Sequence, residues 1–380
     1  METNPLVELQ KFGQSFWYDN ISRDIIHSGE LERMIKEEGL RGVTSNPSIF
    51  QKAISSGNSY DKQLGELLKE RSDISEKELF FELAIKDITD ACDLLMPVYR
   101  ETEGDDGYVS IEVDPNLAYD TAGTIEEATE LFQRINRPNL MIKVPATREG
   151  LPAIEELIRR GVNVNVTLLF SVERYDEVIR AYLNGLNRRL KDGQDISTVA
   201  SVASFFVSRV DTLTDRLLDE IAQNADDEAT REKALSLKGK TAVANAQIAY
   251  DLFKKDFASE TFFKLKTKGA RIQRLLFGST STKNPAYSDI LYVQELIGPG
   301  TINTMPDATW RAFKDHGRAE RTIDRDPEGA KAVIRDVESL GISIREVTEE
   351  LEREGVRLFQ ESFESIIELL KKRRSEFENQ

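Results

Sequence analysis

Residues 140–168 read LMIKVPATREGLPAIEELIRRGVNVNVTL. The apolar run at 140–144 is typical of a buried strand. Residues 150–160 carry apolar side chains at helical spacing, and the β-branched run at 162–168 predicts a second strand. Two strands joined by a helix form a parallel pair, because the chain must cross back over the sheet before it can pair in the same direction. We therefore predict a β-α-β unit here.

The same alternation of short β-rich runs and longer helical runs continues along the chain. Eight such units predict a closed parallel barrel surrounded by helices, the (β/α)8 or TIM barrel. A doubly wound open sheet is the alternative, but it usually has fewer strands and a glycine-rich first turn, which this chain lacks. The predicted strands are 15–20, 40–44, 108–113, 140–144, 162–168, 198–203, 272–277 and 301–304. The clearest predicted helices are 126–134, 150–160, 172–190 and 207–223.

Two helical regions exceed a minimal barrel. Residues 47–100 form a predicted insertion after the second strand, in which 74–95 carries apolar residues at helical spacing. Residues 320–380 form a charged helical tail, with Pro327 at the start of one helix. We expect this tail to pack on the barrel exterior. No Pro/Gly/Ser-rich linker separates these parts, so we treat residues 1–380 as one domain.

Composition and charge limit the class of protein. The 380 residues include 51 Lys and Arg against 67 Asp and Glu, which leaves a formal charge of −16. Such an acidic surface disfavours binding to nucleic acid or to anionic membranes. Cys92 is the only cysteine, so an intrachain disulfide is impossible. The amino terminus shows no signal-peptide pattern and no apolar run is long enough to span a bilayer, so we expect a cytoplasmic protein.

Lys143 lies in the middle of an apolar strand, between Ile142 and Val144. Burial of an unpaired ammonium costs several kcal/mol and favours the neutral amine, which is a nucleophile near neutral pH. Nucleophilic amines form Schiff bases with carbonyl substrates. The structural alternative is a lysine on an edge strand whose ammonium reaches solvent.

Polar residues converge on one end of the predicted barrel. In 109–114, VSIEVD, the alternation places Glu112 opposite the apolar outer face. Taken singly, Asp19 could instead cap the following helix, and Glu112 could be solvated or ion-paired. Asn165 and Thr167 could form a structural hydrogen-bonded pair. Convergence from five strands on one mouth instead predicts a ligand site. Its residues are Asp19, Thr44, Asn46, Glu112, Lys143, Asn165 and Thr167.

Several of these stretches resemble sequence motifs of the transaldolase family. Residues 42–48, GVTSNPS, are similar to the block after the family's second barrel strand, and 140–145, LMIKVP, resembles its Schiff-base lysine strand. Further family blocks are matched by VSIEVD at 109–114, NVTLLFS at 165–171 and SFFVSRVD at 204–211. The motifs occur in the family's order, and the resemblance runs from about residue 16 to about residue 313.

The resemblance implies a role for each matched residue. Lys143 would form the imine with a ketose carbonyl. Asp19 would act as acid–base on the hydroxyl group whose deprotonation cleaves the carbon–carbon bond. Glu112, with Thr167, would hold a water that moves protons during imine formation and hydrolysis. The sugar contacts would come from Thr44, Asn46 and Asn165 around the dihydroxyacetone unit and from Ser204 near the bound sugar.

A sugar phosphate needs cations or helix amino termini around its phosphate group. The resemblance assigns this role to Arg209, at the start of the helix after the sixth strand, and to Ser281 and Lys283 after the seventh. Related transaldolases often carry arginine where Lys283 aligns, and lysine binds phosphate without the bidentate geometry. The structural alternative for Arg209 is a surface ion pair with Asp211 or Asp215.

The resemblance implies transfer of a dihydroxyacetone unit from sedoheptulose 7-phosphate to glyceraldehyde 3-phosphate, in the pentose phosphate pathway. The products would be erythrose 4-phosphate and fructose 6-phosphate. A protonated imine stabilises the carbanion, so we expect no metal and no organic cofactor. One alternative is a fructose 6-phosphate aldolase that releases free dihydroxyacetone; such aldolases tend to be shorter, with Gln at the position of Glu112 and Tyr at that of Phe206. Another is a non-catalytic sugar-phosphate-binding protein. The sequence leaves a homodimer open.

Overall fold

The computed structural model describes residues 4–378. Its centre is a closed barrel of eight parallel strands, in which each strand pairs with the next along the chain and the last pairs with the first. This confirms the predicted (β/α)8 barrel. The strands are β1 (Gln14–Tyr18), β2 (Leu40–Val43), β3 (Tyr108–Glu112), β4 (Leu140–Pro145), β5 (Val164–Leu169), β6 (Ser201–Phe206), β7 (Arg274–Gly278) and β8 (Thr301–Met305).

Helices join successive strands and surround the barrel. Before the third strand they are α1 (Pro5–Glu8), α2 (Arg23–His27), α3 (Glu30–Glu37), α4 (Pro47–Ser55), α5 (Asp61–Glu70) and α6 (Glu76–Glu101). Between the third strand and the eighth they are α7 (Thr121–Ile135), α8 (Gly150–Arg160), α9 (Val172–Lys191), α10 (Ser208–Asn224), α11 (Glu228–Leu237), α12 (Thr241–Phe257), α13 (Glu260–Lys266) and α14 (Leu291–Gln294). After the eighth strand come α15 (Asp307–His316), α16 (Pro327–Ser339) and α17 (Ile344–Glu378). Short 3-10 helices lie at Leu9–Phe12 and Pro115–Leu117.

Strand boundaries differ most from the prediction in β6, which begins at Ser201 rather than at residue 198. The residues before it form a turn, in which the Val199 amide donates to the carbonyl of Ile196. Pairing with β5 begins only where Ser201 faces Val164. Strand propensity alone does not show where a neighbouring strand begins, so the shift could not be seen in the local sequence.

Strand register places polar residues side by side at the carboxyl end of the lumen. Glu112 of β3 pairs with Lys143 of β4, and Lys143 pairs in turn with Asn165 of β5. Since alternate residues of a strand face opposite sides, these three side chains share the inner face while their apolar neighbours face the helices. An apolar layer closes the lumen below them; its members are Trp17, Tyr108, Met141, Ala200, Val202, Leu276 and Ile302.

The helical insertion after the second strand is present as α4, α5 and α6. The side chain of Asn46 caps α4, and Pro47 occupies the first helical position. Ser75 and Glu78 form a capping box at the start of α6. α6 packs against β2, β3 and α17, so the insertion covers one side of the barrel and also supports the tail.

The two tail helices pack differently. α16 begins at Pro327, as predicted, and lies against α12 on the barrel exterior. α17 instead packs against α4, α6 and α10, and its Phe359 borders the cavity at the carboxyl ends of the strands. Phe363 meets Phe80 of α6 edge-on, with ring centroids 5.3 Å apart. α17 therefore packs on the helices outside the strands and also reaches the mouth of the barrel, which the expectation of an exterior tail did not include; the insertion offers it an apolar face there.

Candidate active site

A cavity of about 190 Å³ lies at the carboxyl ends of the strands, where TIM-barrel enzymes place their active sites. The predicted residues that line it are Asp19, Thr44, Asn46, Lys143, Ser204, Arg209, Ser281 and Lys283. The other predicted residues, Glu112, Asn165 and Thr167, are buried on the strands that flank β4. The fold thus brings every predicted site residue to one end of the barrel.

Lys143 is buried, with 4% of its surface exposed, and it borders the cavity. Its Nζ donates to the backbone carbonyl of Ser45 at 2.9 Å and lies 3.3 Å from Glu112 Oε2. The edge-strand alternative is wrong, because β4 pairs with a neighbour on both sides. The amine can therefore reach a carbonyl group in the cavity while a carboxylate beside it can take its proton.

Glu112 is the carboxylate paired with this amine. Burial raises the pKa of Glu112, and the positive charge of Lys143 opposes the shift. The ion-paired alternative for Glu112 is thus realised, with Lys143 itself as the partner. Apart from that ion pair, neither Glu112 oxygen has a hydrogen-bond partner among residues 4–378, and neither does Thr167 Oγ1. Buried polar atoms are seldom left unpaired, so these atoms are suited to bind a water molecule or a substrate hydroxyl.

Asp19 follows β1 and accepts a hydrogen bond from Thr44 Oγ1 at 2.7 Å. That hydroxyl group lies 2.6 Å from Thr304 Oγ1 at the end of β8. Asp19 keeps some accessible surface because it borders the cavity, yet burial raises its pKa, and the charge of Lys143 is the largest opposing effect. The helix-cap alternative is wrong, because Ser22 caps α2.

Hydrogen bonds hold the amide and hydroxyl groups around the cavity in place. Ser204 Oγ donates to Asn165 Oδ1 at 2.6 Å, and Asn165 Nδ2 donates to Ser110 Oγ at 3.0 Å. Asn46 Oδ1 accepts a hydrogen bond from the first turn of α4 at 3.0 Å. Asn165 is therefore paired across strands, and the alternative in which it pairs with Thr167 is wrong.

Arg209 lies in the first turn of α10 and is largely enclosed by protein. Its guanidinium lies 5.9 Å from the centre of the Phe206 ring, and burial lowers its pKa. Its buried Nη1 has no hydrogen-bond partner among residues 4–378. The alternative of an ion pair with Asp211 or Asp215 is wrong, because those carboxylates accept hydrogen bonds from tyrosine hydroxyls and backbone amides. An unpaired guanidinium beside a cavity is suited to bind an anion.

Ser281 and Lys283 follow β7 and line the same cavity. Lys283 Nζ donates to Ser281 Oγ at 2.6 Å and makes no ion pair within the described part of the chain. The cations of Arg209 and Lys283 therefore meet at one cavity in a chain with a formal charge of −16. A local concentration of positive charge on an acidic protein indicates a site for an anionic group.

Thr304 and Phe359 are two of the residues that line the cavity but were not predicted as site residues. Thr304 is the penultimate residue of β8 and follows the same rule as the predicted residues, a polar side chain near the carboxyl end of a strand, so the sequence held a signal for it. Phe359 lies on α17 and is buried against the cavity. Its helical spacing predicts a buried face but does not indicate which surface that face covers.

A larger cavity, of about 630 Å³, opens at the amino-terminal end of the barrel. Each of its arginines is paired with an acidic residue: Arg274 with Asp106, Arg271 with Asp105, and Arg41 with Glu101. Residues at this end of a TIM barrel generally serve stability. The smaller cavity is the candidate active site, because it is bordered by the buried amine of Lys143 and by Arg209, whose buried Nη1 has no hydrogen-bond partner among residues 4–378.

Residues 4–378 contain no group of three or more histidine, cysteine or carboxylate side chains placed to hold a metal ion. Over the same range, no helix is both long enough and apolar enough to cross a bilayer. Chemistry without a metal or an organic cofactor stays a prediction from the resemblance.

Comparison with known proteins agrees with this geometry. Residues 16–370 match the sequence profile of the family described as transaldolase/fructose-6-phosphate aldolase. A transaldolase of Trichodesmium erythraeum is 48% identical over 375 residues, which cover 98% of both chains. A transaldolase 2 of a Nostoc species is 46% identical over 373 residues, or 97% of both chains, and a transaldolase of Mycobacterium bovis is 45% identical over 368 residues, or 96% of both. The resemblance seen in the sequence motifs is confirmed: the chain belongs to the transaldolase/fructose-6-phosphate aldolase family.

Proposed function

We propose that the protein is a transaldolase, which transfers a dihydroxyacetone unit from sedoheptulose 7-phosphate to glyceraldehyde 3-phosphate. The products are erythrose 4-phosphate and fructose 6-phosphate, and the reaction belongs to the pentose phosphate pathway. The observation that carries this proposal is the buried amine of Lys143, which borders the cavity and has the Glu112 carboxylate 3.3 Å away. The names of the relatives, all transaldolases at 44–48% identity, support it.

Imine formation requires a neutral amine. Glu112 takes the proton from the Lys143 ammonium, and its raised pKa makes it a stronger base than an exposed carboxylate. The amine attacks the C2 carbonyl carbon of the ketose; the nitrogen then loses a proton and the carbonyl oxygen gains one, which gives a carbinolamine. Glu112 then returns a proton, through a water held with Thr167, so that the C2 hydroxyl leaves as water and a protonated imine remains.

Carbon–carbon cleavage requires a second base. Asp19 takes the proton of the C4 hydroxyl, and the C3–C4 electron pair moves toward the iminium nitrogen. Erythrose 4-phosphate leaves as an aldehyde, and an enamine of dihydroxyacetone stays on Lys143. The enamine attacks the aldehyde carbon of glyceraldehyde 3-phosphate while Asp19 returns the proton to the new hydroxyl, and water then releases fructose 6-phosphate. A raised pKa suits a carboxyl group that must both take and give this proton.

Substrate recognition is divided between the two ends of the sugar phosphate. The hydrogen-bonded Asn165 and Ser204 pair, with Thr44 and Asn46, orients the dihydroxyacetone end. The phosphate is bound by the cations and hydroxyl of Arg209, Lys283 and Ser281. Arg209 supplies a guanidinium whose buried Nη1 has no hydrogen-bond partner among residues 4–378, and this group can form two parallel hydrogen bonds to phosphate oxygens.

Borohydride reduction in the presence of fructose 6-phosphate tests the proposal. The reagent reduces the imine and leaves the sugar fragment bound to the amine, and peptide mapping then identifies the residue. We expect label on Lys143 and no label in Lys143→Ala, with Lys314→Ala, a lysine that pairs with Glu38 elsewhere on the protein, as the matched control. An unlabelled protein, or equal label in Lys143→Ala, would favour the non-catalytic sugar-phosphate-binding alternative.

A second candidate is release of free dihydroxyacetone, because the description of the matching family includes fructose-6-phosphate aldolase. Related aldolases of that kind tend to carry Gln and Tyr where this chain has Glu112 and Phe206, which favours transfer here. Free dihydroxyacetone is measured with fructose 6-phosphate, with and without an aldehyde acceptor. Release that still dominates when acceptor is present would overturn the transferase assignment.

The cellular location and the oligomeric state of the protein are further parts of the proposal. We infer a cytoplasmic protein, which the acidic composition and the single cysteine support. A homodimer stays a prediction that sedimentation equilibrium can decide. Neither point affects the chemistry of the site, whose proposed residues all come from a single chain.

A further inference from the structure

Strand β5 contains an irregularity directly after Thr167. Val166 pairs with Ala203 and Leu169 pairs with Phe205, so three steps along β5 match two steps along β6. The extra residue is a β-bulge, and Leu168 adopts a φ of 53° within it. That left-handed conformation is common for glycine but unfavourable for a side chain branched as leucine is.

The side chain of Leu168 is held by the tail helix. Leu168 is buried and packs against Gly355 of α17. A Cβ atom at Gly355 would lie 2.8 Å from Leu168 Cδ2, closer than carbon atoms approach, so only glycine leaves room for this leucine in its present place. One helical turn later, α17 supplies Phe359 to the cavity wall.

The bulge also fixes the residue before it. The backbone carbonyl of Thr167 accepts a hydrogen bond from the Ala146 amide at 2.8 Å, just beyond β4. Thr167 Oγ1 is fully buried with no partner among residues 4–378, so no hydrogen bond within the protein sets its direction. Its placement therefore depends on the backbone conformation of the bulge. Bulges beside active sites commonly direct a side chain in this way.

We propose that Leu168 and Gly355 are positioning residues for the reaction: their contact holds the bulge in the conformation that directs the Thr167 hydroxyl toward the proton transfers of the imine step. The inference rests on the role proposed for Thr167 with Glu112. Through this contact the tail helix supports the proton chemistry as well as covering the mouth of the barrel.

Gly355→Ala tests the inference, because its methyl group must displace Leu168. We expect borohydride-trapped imine to form about tenfold more slowly, less than the roughly 100-fold or more that complete loss of a general acid–base group costs, because the Thr167 hydroxyl is displaced and not removed. The KM for fructose 6-phosphate should change less than about twofold. The matched control is Gly65→Ala on α5. Its Cβ atom would lie 3.0 Å from the ring of Phe377, near the carboxyl end of α17. This substitution introduces a steric clash between α5 and α17 at a site remote from Thr167. We expect it to leave the rate of imine formation unchanged.

A second variant restores the space. In the double variant Leu168→Ala with Gly355→Ala, the shorter side chain makes room for the added methyl group, and we expect part of the imine rate to return. Combining Gly355→Ala with Thr167→Ala should be no slower than Thr167→Ala alone, because both changes remove the same function. The inference would be overturned if the two rate reductions multiplied in that combination. A wild-type rate of imine formation in Gly355→Ala would also overturn it.

The outcomes separate this inference from the proposed function. Slow imine formation in Thr167→Ala with a normal rate in Gly355→Ala overturns the positioning role alone. A normal imine rate in Thr167→Ala overturns both the role of Thr167 and the positioning inference. Absence of a trapped imine in the wild-type protein overturns the proposed function itself.

Discussion

Glu112 and Lys143 occupy paired positions on neighbouring strands, and Glu112 Oε2 lies 3.3 Å from Lys143 Nζ inside the barrel. A one-residue slip of either strand would turn its side chain to the outer face, so the pair depends on the register of β3 and β4. The base proposed to free the Lys143 amine is therefore placed by the backbone of the barrel rather than by a loop. This relationship makes the first prediction.

Glu112→Gln keeps the size of the side chain and its ability to hold a water, but it cannot take a proton from Lys143. We expect imine formation to slow at least about tenfold, because general base catalysis is lost. Rapid mixing with fructose 6-phosphate followed by borohydride measures this rate. Asp114→Asn is the control, since Asp114 follows the same strand and pairs with Lys77 away from the cavity. An unchanged imine rate in Glu112→Gln would contradict the proposed role.

Asp19→Ala should separate cleavage from imine formation. The variant keeps Lys143 and Glu112, so the imine should still form, but no base remains to take the C4 hydroxyl proton. We expect cleavage to slow about 100-fold or more, with a smaller effect on the trapped imine. Single-turnover assays of erythrose 4-phosphate release, run beside the trapping assay, give the two rates. Equal loss in both assays would show that Asp19 does not act in the cleavage step.

The charge of Asp19 should also cost stability. Its pKa is raised in the folded protein, so between the ordinary carboxyl pKa and that raised value the folded state holds a proton that the unfolded chain has lost. Wild-type stability therefore falls as pH rises through this range. Asp19→Asn has no such proton to lose. Its free energy of unfolding relative to that of wild type should therefore rise with pH, by about 1 kcal/mol for each unit by which folding raises the Asp19 pKa. Thermal melting at about pH 4, near the ordinary carboxyl pKa, and at about pH 8 tests this; a difference that is constant or shrinks with pH is the contrary result.

Arg209→Ala should weaken binding of phosphorylated substrates. It removes a half-buried guanidinium whose buried Nη1 has no hydrogen-bond partner within residues 4–378, so little internal bonding is lost while an anion site disappears. We expect the KM for fructose 6-phosphate to rise about tenfold or more, as for loss of a charge-assisted pair, with little change for unphosphorylated fructose. Arg216→Ala is the control, because Arg216 lies on the same helix but is exposed and pairs with Glu220. An equal rise in KM for fructose 6-phosphate and for unphosphorylated fructose would argue against a phosphate contact.

Phe359→Ala should open the cavity to water. The ring is buried and lines the cavity, so its removal gives water access to the enamine. We expect more free dihydroxyacetone per transfer, together with a stability loss of about 3 kcal/mol from the lost buried ring. Phe363→Ala loses a comparable ring on the same helix, against Phe80, without lining this cavity. The prediction fails if both variants change the ratio of release to transfer equally.

Local sequence patterns determined the barrel and the inner faces of its strands. Alternation along β3 placed Glu112 inside the lumen, and the apolar neighbours of Lys143 predicted its burial. Both follow from short-range geometry, because a strand exposes successive side chains on opposite sides and parallel strands share one carboxyl end. The motifs that carry the family resemblance lie on these same strands.

Only the tertiary structure decided which groups meet. It showed that Arg209 has no carboxylate ion-pair partner in the described range 4–378, that Asp19 is not a helix cap, and that Phe359 from the tail borders the cavity. It also placed Leu168 against Gly355. The physical reason is that local periodicity specifies which face of a helix or strand is apolar, whereas the surface that buries this face is selected by packing between segments far apart in the chain.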